Sequence, residues 1–185
     1  MFGTLAEHAS IKVELRLSVE GPRPPSLFEA LKLRSVADYQ LGKGLGSALF
    51  PRGILVTASR RTGRIRHIYY RGALLATLRP SDGLLALTVD GARRLLGRPR
   101  VKRFTVTVSG EAAPFIMEGK SVFAKHVVWA DERLKPMEEV ILVDEKGGLL
   151  AVGKAVLSGV EMLCFKRGIA VKTRQGVRRG LGKGV

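Results

Sequence analysis

Residues 138–158, EEVILVDEKGGLLAVGKAVLS, decide the fold, because two apolar runs flank a turn signal at residues 145–148. Short apolar runs separated by a glycine-containing turn are typical of a β-hairpin. Further strands are predicted at residues 168–174, GIAVKTR, and at residues 103–109, RFTVTVS, where apolar and polar residues alternate. Many short strands with few helices favour a small, nearly closed β-barrel.

Two further segments lie between these strands, and a tail follows them. Residues 111–119, EAAPFIMEG, predict a short helix or turn, and residues 121–131, SVFAKHVVWAD, predict one continuous strand. The tail at residues 178–185, RRGLGKGV, is rich in glycine and basic residues, which predicts a mobile terminus.

The first half of the chain predicts a meander of strands with a helix in front of it. Residues 26–42 begin with Ser26 as an N-cap and with Glu29 in capping-box spacing, which indicates one helix or two as far as Leu49. Strands are predicted at residues 53–59, 64–72, 73–80 and 83–89, where β-forming residues stand between turn signals. The fold class predicted for the whole chain is therefore α+β.

Domain boundaries are expected where these patterns are interrupted. A short helix at residues 91–97, capped by Thr88 or Asp90, ends in glycine and proline stop signals, so we expect a boundary near residues 98–100. Residues 11–20, IKVELRLSVE, alternate like a half-buried strand until GPRPP breaks the pattern at residues 21–25. We divide the chain into an N-terminal extension, an α+β domain, a barrel domain and a basic tail, at residues 1–30, 31–100, 101–177 and 178–185.

The chain is strongly basic, with 32 lysine and arginine residues against 16 aspartate and glutamate residues and a formal net charge of +16. Such a charge attracts polyanions, so nucleic acid is the first partner to consider, although membranes and acidic proteins also attract basic chains. The sequence contains no run of about 18 apolar residues and no signal-peptide pattern. We therefore expect a cytoplasmic protein with no membrane partner.

The sequence predicts no catalytic or metal site. The one cysteine, Cys164, has no internal partner, and the three histidines, at positions 8, 67 and 126, do not cluster as zinc ligands do. Asp82, His67 and His126 are candidate acids or bases, but none has a nucleophile or a second carboxylate at a motif spacing. Cys164 stands in an apolar stretch and is predicted to be buried and inert. We expect no cofactor, no metal and no enzymatic activity of the chain by itself.

Five segments carry a resemblance to a known family. They are ADYQLGKGLGSALF (37–50), RTGRIRHIYYRGALLATLRPSDGLLALT (61–88), EAAPFIMEGKSVFAKHVV (111–128), LLAVGKAVLS (149–158) and FKRGIAVKTR (165–174). In this order they resemble the C-terminal region of archaeosine tRNA-guanine transglycosylases and of the related archaeosine synthases. The resemblance covers residues 33–177 approximately. It implies a small α+β domain, a PUA domain of the β pseudo-barrel type behind it, and binding of tRNA.

The resemblance does not include the N-terminal barrel of those enzymes, with its catalytic aspartates and cysteine-rich zinc site, and so it implies binding without catalysis. PUA domains also follow unrelated leading domains in pseudouridine synthases, ribosome-assembly factors and translation factors. Three interpretations therefore remain: a stand-alone archaeal tRNA-binding protein, a separate RNA-binding subunit that docks on a catalytic transglycosylase, and a ribosome-assembly or translation factor. The absence of asparagine and the low count of glutamine are typical of hyperthermophilic proteins.

By resemblance to PUA domains, RNA contacts the glycine-containing segment after the first barrel strand and the last strand itself, here residues 117–125 and 165–172. Glycine lets the backbone approach a phosphate or an extruded base, and lysine and arginine supply positive charge. The last strand adds Arg174, which shares a face with Lys172 by the two-residue period, although a solvated strand face gives the same pattern. The candidate residues are Gly119, Lys120, Ser121, Phe123, Lys125, Lys166, Arg167, Gly168, Lys172 and Arg174.

A second basic cluster surrounds the predicted turn at Thr62 and Gly63, and its candidate residues are Arg60, Arg61, Arg64 and Arg66. Arginines around a turn can contact successive phosphates of a nucleic acid, but a hairpin that is solvated or binds a protein partner has the same composition. The glycines of GKGLG, at residues 42–46, lack the spacing of a nucleotide-binding loop. We interpret them as a turn after the helix that leaves Lys43 available to RNA.

Aromatic residues offer a further means of RNA recognition, because bases stack on exposed rings. Aromatic side chains in the strands of small barrels usually pack into the core, however. A core position is therefore the prediction even for Phe123 and Phe165, which flank the basic glycine segments. The same prediction applies to Tyr69, Tyr70 and Trp129.

Overall fold

The computed structural model of the protein describes residues 21–178, which form one sheet of four strands and one of six, together with short helices. This confirms the predicted α+β class. The predicted strand at residues 11–20 lies outside the described residues, as does the predicted tail beyond Arg178.

Two helices, α1 (Leu27–Leu41) and α2 (Leu45–Leu49), precede the first sheet. The predicted capping box starts α1: the Glu29 backbone N–H donates to the Ser26 hydroxyl at 3.2 Å, and the Ser26 backbone N–H donates to the Glu29 carboxylate at 2.7 Å. The two helices are separated by Gly42 and Gly44, whose φ angles of 112° and 90° are rare for residues with a side chain. The predicted turn after the helix is therefore confirmed.

The four-stranded sheet is antiparallel and follows the chain order, with strands β1 (Leu55–Ala58), β2 (Ile65–Tyr70), β3 (Ala73–Leu78) and β4 (Leu85–Leu87). All four strands lie within the predicted segments. The backbone of Arg23 donates to and accepts from that of Val56 at 3.0 and 2.8 Å. The segment at residues 21–25, predicted as a break or linker, is therefore held against the edge of this sheet.

Helix α3 (Val89–Leu95) follows β4 and confirms the predicted short helix. Thr88 is its N-cap, because the Thr88 hydroxyl accepts a hydrogen bond from the Gly91 backbone N–H at 3.1 Å. A 3-10 helix, Pro99–Phe104, then leads into the second sheet. Val101 and Phe104 of this connection are buried in the same apolar core as the residues of both sheets. The domain boundary near residues 98–100 stays a prediction.

The second sheet has six strands in the order β6-β10-β9-β8-β5-β7 and forms a nearly closed barrel. Neighbouring strands are antiparallel except β5 and β8, which are parallel. The predicted hairpin is β8 and β9, and the predicted flanking strands are β5 and β10. The strands are β5 (Thr105–Val108), β6 (Val122–Phe123), β7 (Val127–Ala130), β8 (Glu139–Val143), β9 (Leu149–Ala155) and β10 (Ile169–Gly176).

The prediction of one strand over residues 121–131 is wrong. This segment contains β6, a 3-10 helix at Ala124–His126, and β7, and the two strands lie at opposite edges of the sheet. The break arises because the two parts bond to different elements: the Ala124 N–H donates to the Gly168 carbonyl, and the His126 carbonyl accepts from the Ser109 N–H. Both partners are distant in sequence, so the local pattern does not reveal the break.

Two short helices complete the second half: α4 (Ala113–Met117), which confirms the predicted helical segment, and α5 (Gly159–Cys164), which the sequence analysis did not predict. Helix α5 begins with a capping box, in which the Ser158 N–H donates to the Glu161 carboxylate at 2.7 Å and the Glu161 N–H to the Ser158 hydroxyl at 3.3 Å. This serine-to-glutamate spacing is visible in the sequence. The helix was not predicted because the segments on both sides of it have strong strand patterns.

A buried carboxylate joins the two sheets. Glu139 of β8 is 1% exposed, and it accepts a hydrogen bond from the Leu87 backbone N–H of β4 at 3.2 Å. It also accepts two hydrogen bonds from the guanidinium of Arg174 of β10, of which the longer is 3.0 Å. Arg174 also donates to the Leu87 carbonyl at 2.7 Å, and Arg79 lies 3.7 Å from the same carboxylate. Because the three bonded groups belong to three strands in two sheets, this ion pair fixes the sheets relative to each other.

We expect Glu139→Ala to destabilise the protein. The substitution removes the acceptor of the Leu87 N–H and the charged partner of Arg174, which keeps only its bond to the Leu87 carbonyl. Because the Arg174 side chain is 36% exposed, the expected loss in the free energy of unfolding is about 2 to 3 kcal/mol, less than for a fully buried pair. Urea unfolding measures the loss, with Glu145→Ala in the exposed β8–β9 turn as the control, expected within about 0.5 kcal/mol of the unsubstituted protein. Equal stability of the two variants would contradict this role of Glu139.

Candidate nucleic-acid interface

The two glycine-containing segments that are predicted to contact RNA lie side by side at one edge of the six-stranded sheet. The edge strand β6 pairs antiparallel with β10, which places Phe123 opposite Ile169 and Val122 opposite Val171. The Ala124 N–H adds a bond to the Gly168 carbonyl at 3.0 Å. We name residues 117–125 and 165–174 together the basic edge.

Each segment of the basic edge turns at a glycine with a left-handed backbone. Gly119 has a φ of 92° and follows α4, where its N–H donates to the Ile116 carbonyl at 2.9 Å. Gly168 has a φ of 93°, and a Cβ added there would meet no atom within 4 Å. The backbone conformation thus requires glycine at this position, while the space beside it stays open to a ligand.

The basic side chains of this edge point to solvent. Arg174 pairs with Glu139, but none of the other basic residues of this edge forms an ion pair with another residue between positions 21 and 178, so their charges are not neutralised within the described part of the chain. Gly168 is also exposed, and Gly119 and Ser121 are half-buried. The exposed basic residues are Lys120, Lys125, Lys166, Arg167 and Lys172.

Two aromatic side chains accompany these charges. Phe123 is 48% exposed and Phe165 is 46% exposed, so the predicted core position is wrong for both. Phe123 ends β6, which is an edge strand among the described residues, and Phe165 directly follows α5. The other aromatics considered for stacking, Tyr69, Tyr70 and Trp129, are half-buried. The basic edge therefore presents both positive charge and exposed rings.

Lys172 and Arg174, the two residues of the predicted basic stripe on β10, have different environments. Lys172 and Arg174 are both exposed and Val171 is buried, as the two-residue period predicts. The guanidinium of Arg174 is nevertheless held by Glu139, so much of its charge is compensated. Lys172 lies opposite Lys154 of β9 in the register of the sheet, and this half-buried lysine extends the basic row. The sequence analysis missed Lys154, which only the strand register identifies.

The second predicted basic cluster lies on the turn between β1 and β2. Arg60, Arg61 and Arg64 are exposed there, and Arg66 is half-buried on β2. The turn is closed by Ser59, whose carbonyl accepts from the Gly63 N–H at 2.7 Å and whose N–H donates to the Arg64 carbonyl at 2.9 Å. We name the four arginines the arginine turn.

His67 on β2 and Lys43 between α1 and α2 lie in the same half of the chain as the arginine turn. Burial, and then the positive charge of Arg66, lower the pKa of His67 below its ordinary value, so this imidazole is uncharged at neutral pH. Its Nδ1 lies 2.9 Å from the Thr57 hydroxyl. Lys43, the remaining candidate, is exposed between α1 and α2, and its carbonyl accepts a hydrogen bond from Arg100.

The residues that were considered for catalysis do not come together. Asp82 pairs with Arg79 at 2.9 Å and accepts from the Leu84 N–H at 3.0 Å, as expected for a turn residue. Cys164 is exposed, so the prediction that it is buried is wrong; it ends α5, which buries Gly159 and Met162 instead. Within residues 21–178 no group of three or more potential ligands is placed to hold a metal, and no helix is long and apolar enough to cross a membrane.

Comparison with known proteins identifies two domains. The patch-forming domain C2 of tRNA-guanine transglycosylase matches residues 31–110, and the PUA domain matches residues 104–177. A tRNA-guanine(15) transglycosylase of Methanobrevibacter smithii is 44% identical over 148 residues, which are 80% of this chain and 22% of the relative. A second, of Thermococcus kodakarensis, is 40% identical over an alignment of 185 positions, which covers 97% of this chain and 31% of the relative. The chain thus spans less than a third of either relative.

Solved structures with the same fold are also archaeal. A hypothetical protein of Pyrococcus horikoshii OT3 aligns with a TM-score of 0.68 and 25% identity over 85% of this chain and 95% of its own. A conserved PUA domain protein of Thermoplasma acidophilum aligns with a TM-score of 0.61 and 22% identity over 84% of this chain and 93% of its own, which shows the fold alone. Together, the matches confirm the resemblance that the sequence carries: residues 31–110 match the C2 domain of tRNA-guanine transglycosylase, and residues 104–177 match the PUA domain.

Proposed function

We propose that the protein binds tRNA through the basic edge of its PUA domain, with the arginine turn of the C2 domain as a second contact. The observation that carries the proposal is the pairing of β6 with β10, which joins two basic glycine segments into one exposed surface. Each segment contributes exposed cations and one exposed phenylalanine, and the pairing of the strands places them on one surface.

The chemistry of the basic edge suits RNA in two respects. Its exposed lysines and Arg167 supply contacts for phosphates, and such contacts provide most of the affinity in nucleic-acid binding. Phe123 and Phe165 are half-exposed between these charges, where unpaired bases can stack on their rings. A surface with both features fits RNA that has a duplex part and unpaired nucleotides, as tRNA does.

The choice of tRNA rests on the relatives, whose name specifies a guanine of tRNA as their target. The two basic surfaces also lie in different domains, on the β1–β2 turn and on the β6–β10 edge. We propose that a folded RNA contacts both surfaces at once. We assign the protein binding without catalysis, because the two matched domains lie outside the catalytic barrel in the resemblance.

A second candidate function is that of a separate RNA-binding subunit in a transglycosylase complex. One observation favours it: large apolar side chains at the start of α1 are exposed. Leu27 is 79% exposed and Phe28 is 76% exposed. Exposed apolar patches commonly mark protein interfaces. The interpretation as a ribosome-assembly or translation factor stays a prediction from the sequence.

We expect Lys166→Ala combined with Arg167→Ala to weaken tRNA binding by about tenfold or more, because two phosphate contacts at about 0.7 kcal/mol each correspond to that factor. Gel-shift titration of an unmodified tRNA at low salt measures the effect. The matched control is Arg52→Ala combined with Lys146→Ala, which removes two exposed cations from turns outside both basic surfaces. The control should bind tRNA with nearly unchanged affinity. Equal affinity of both double variants would overturn the assignment of the basic edge.

The salt dependence of binding gives a second, independent prediction. Each neutralised phosphate contributes a slope of about −0.7 to −0.9 to the logarithm of affinity against the logarithm of salt concentration. Removal of Lys166 and Arg167 should therefore make the slope less steep by about 1.4 to 1.8. Fluorescence anisotropy of labelled tRNA at several salt concentrations gives both slopes. An unchanged slope would mean that these two side chains do not contact phosphates.

A further inference from the structure

A groove on the C2 domain has properties that RNA binding does not explain. It lies between α1 and the turns that connect β1 with β2 and β3 with β4, and it has a volume of about 600 Å³. We propose that this groove and the adjoining face of α1 bind an acidic amphipathic helix of a partner protein. Arg64 and Arg66 belong both to this groove and to the arginine turn, so the partner helix would compete with the second tRNA contact; binding of the helix does not depend on the basic edge.

The apolar part of this surface is unusually exposed. Leu27, Phe28 and Leu31 are 79%, 76% and 52% exposed, and Leu27 and Leu31 lie on one helix face because they are four residues apart. Phe28 also lines the groove, beside Leu33 and Val36 of the same helix. Apolar side chains that are contiguous and exposed cost free energy in water, and burial against a partner recovers it.

The charged part of the groove is positive and uncompensated. Lys32, Arg64 and Arg66 line it, and none of them forms an ion pair with any residue between positions 21 and 178. Three cations around an apolar strip are complementary to a segment whose carboxylates flank apolar side chains.

The acids of the groove do not neutralise these cations, because each is already paired. Glu29 accepts from Arg23 at 2.7 Å, and Asp82 accepts from Arg79 at 2.9 Å. The hydrogen bond from Arg23 lowers the pKa of Glu29 to about 2, so the pair is ionised at neutral pH. The positive charge of Lys32, Arg64 and Arg66 is therefore available to a ligand.

The shape of the surface favours a helix as the occupant. Helix α1 has 15 residues and carries its exposed apolar side chains on successive turns, with Tyr39, which is 85% exposed, further along. A second helix packs against such a row by placing its own apolar side chains between the ridges. The turns at residues 62–66 and 78–83 form the opposite wall of the groove.

Two other occupants fit less well. RNA phosphates would satisfy Lys32, Arg64 and Arg66 but would leave Leu27 and Leu31 against polar groups, since aliphatic side chains do not stack on bases as aromatic rings do. A second copy of the chain carries the same net charge of +16, and a symmetric contact through this groove would bring its cations together. An acidic protein segment satisfies both the apolar and the charged parts.

The test uses the full chain and a defined probe. The probe is a capped 15-residue peptide with leucine along one helix face and glutamate on both flanks, and fluorescence anisotropy measures its binding. We expect saturable binding that weakens at least tenfold for Phe28→Ser combined with Leu31→Ser, and also for Arg64→Glu. The matched controls are Leu163→Ser, an exposed apolar residue of α5, and Lys146→Glu, an exposed cation of the β8–β9 turn, and both should bind the peptide normally. Circular dichroism verifies that each variant is folded.

Several results would overturn the proposal. One is absence of peptide binding, and another is binding that survives both groove variants. Equal binding of a peptide with lysine in place of glutamate would exclude the charge complementarity. If the Phe28 and Leu31 variant instead lowers tRNA affinity tenfold, or abolishes a dimer in sedimentation, the occupant is RNA or a second copy. Lys166→Ala with Arg167→Ala should leave peptide binding unchanged, which separates this inference from the tRNA proposal.

Discussion

The rest of the structure depends on the buried ion pair between Glu139 and Arg174. A carboxylate that is 1% exposed is tolerated in a protein interior only when its charge and its lone pairs are satisfied. Here the partners come from two other strands, since Arg174 belongs to β10 and Leu87 to β4. The orientation of one sheet against the other is thereby restricted to the arrangement that satisfies Glu139. A purely apolar contact between the sheets would not be as selective.

Strand β10 connects this ion pair to the proposed RNA-binding surface. Arg174 anchors one part of the strand at the junction of the two sheets, and Ile169 pairs with Phe123 near the other end. The basic edge and the arginine turn are therefore carried by a single connected framework with one continuous apolar core. A rigid arrangement of two positive surfaces lowers the entropic cost of binding a folded RNA at both. It also leaves α1, on the outside of the first sheet, free to contact a different partner.

Much of this fold was predictable from local sequence patterns. The four strands of the first sheet, the β8–β9 hairpin and the capping box at Ser26 all depend on residues that are close in sequence, and the structure has them where the patterns place them. One error occurs where distant residues decide. Segment 121–131 is broken by its bonds to Ser109 and Gly168. No local pattern contains that information.

The candidate site, too, could be predicted only in part from the sequence. Sequence patterns and the family resemblance selected both glycine segments, but only the strand order brings them together, and only the register adds Lys154. Arg174 was selected for its place on the outer face of β10, yet its main partner, Glu139, lies in another strand, and no sequence signal linked the two. The residue type and the two-residue alternation along a strand predict exposure well, whereas ion pairs between strands depend on the order of the strands in the sheet.

Hydrogen exchange of the protein with and without tRNA tests the central claim most directly, because it reports every backbone segment at once. The account predicts that tRNA slows exchange at residues 117–125 and 165–172, the two segments of the basic edge that turn at Gly119 and at the exposed Gly168. It predicts no change in the β8–β9 turn at residues 144–148. Protection that leaves both glycine segments unchanged would contradict the claim that the PUA domain binds RNA through this edge.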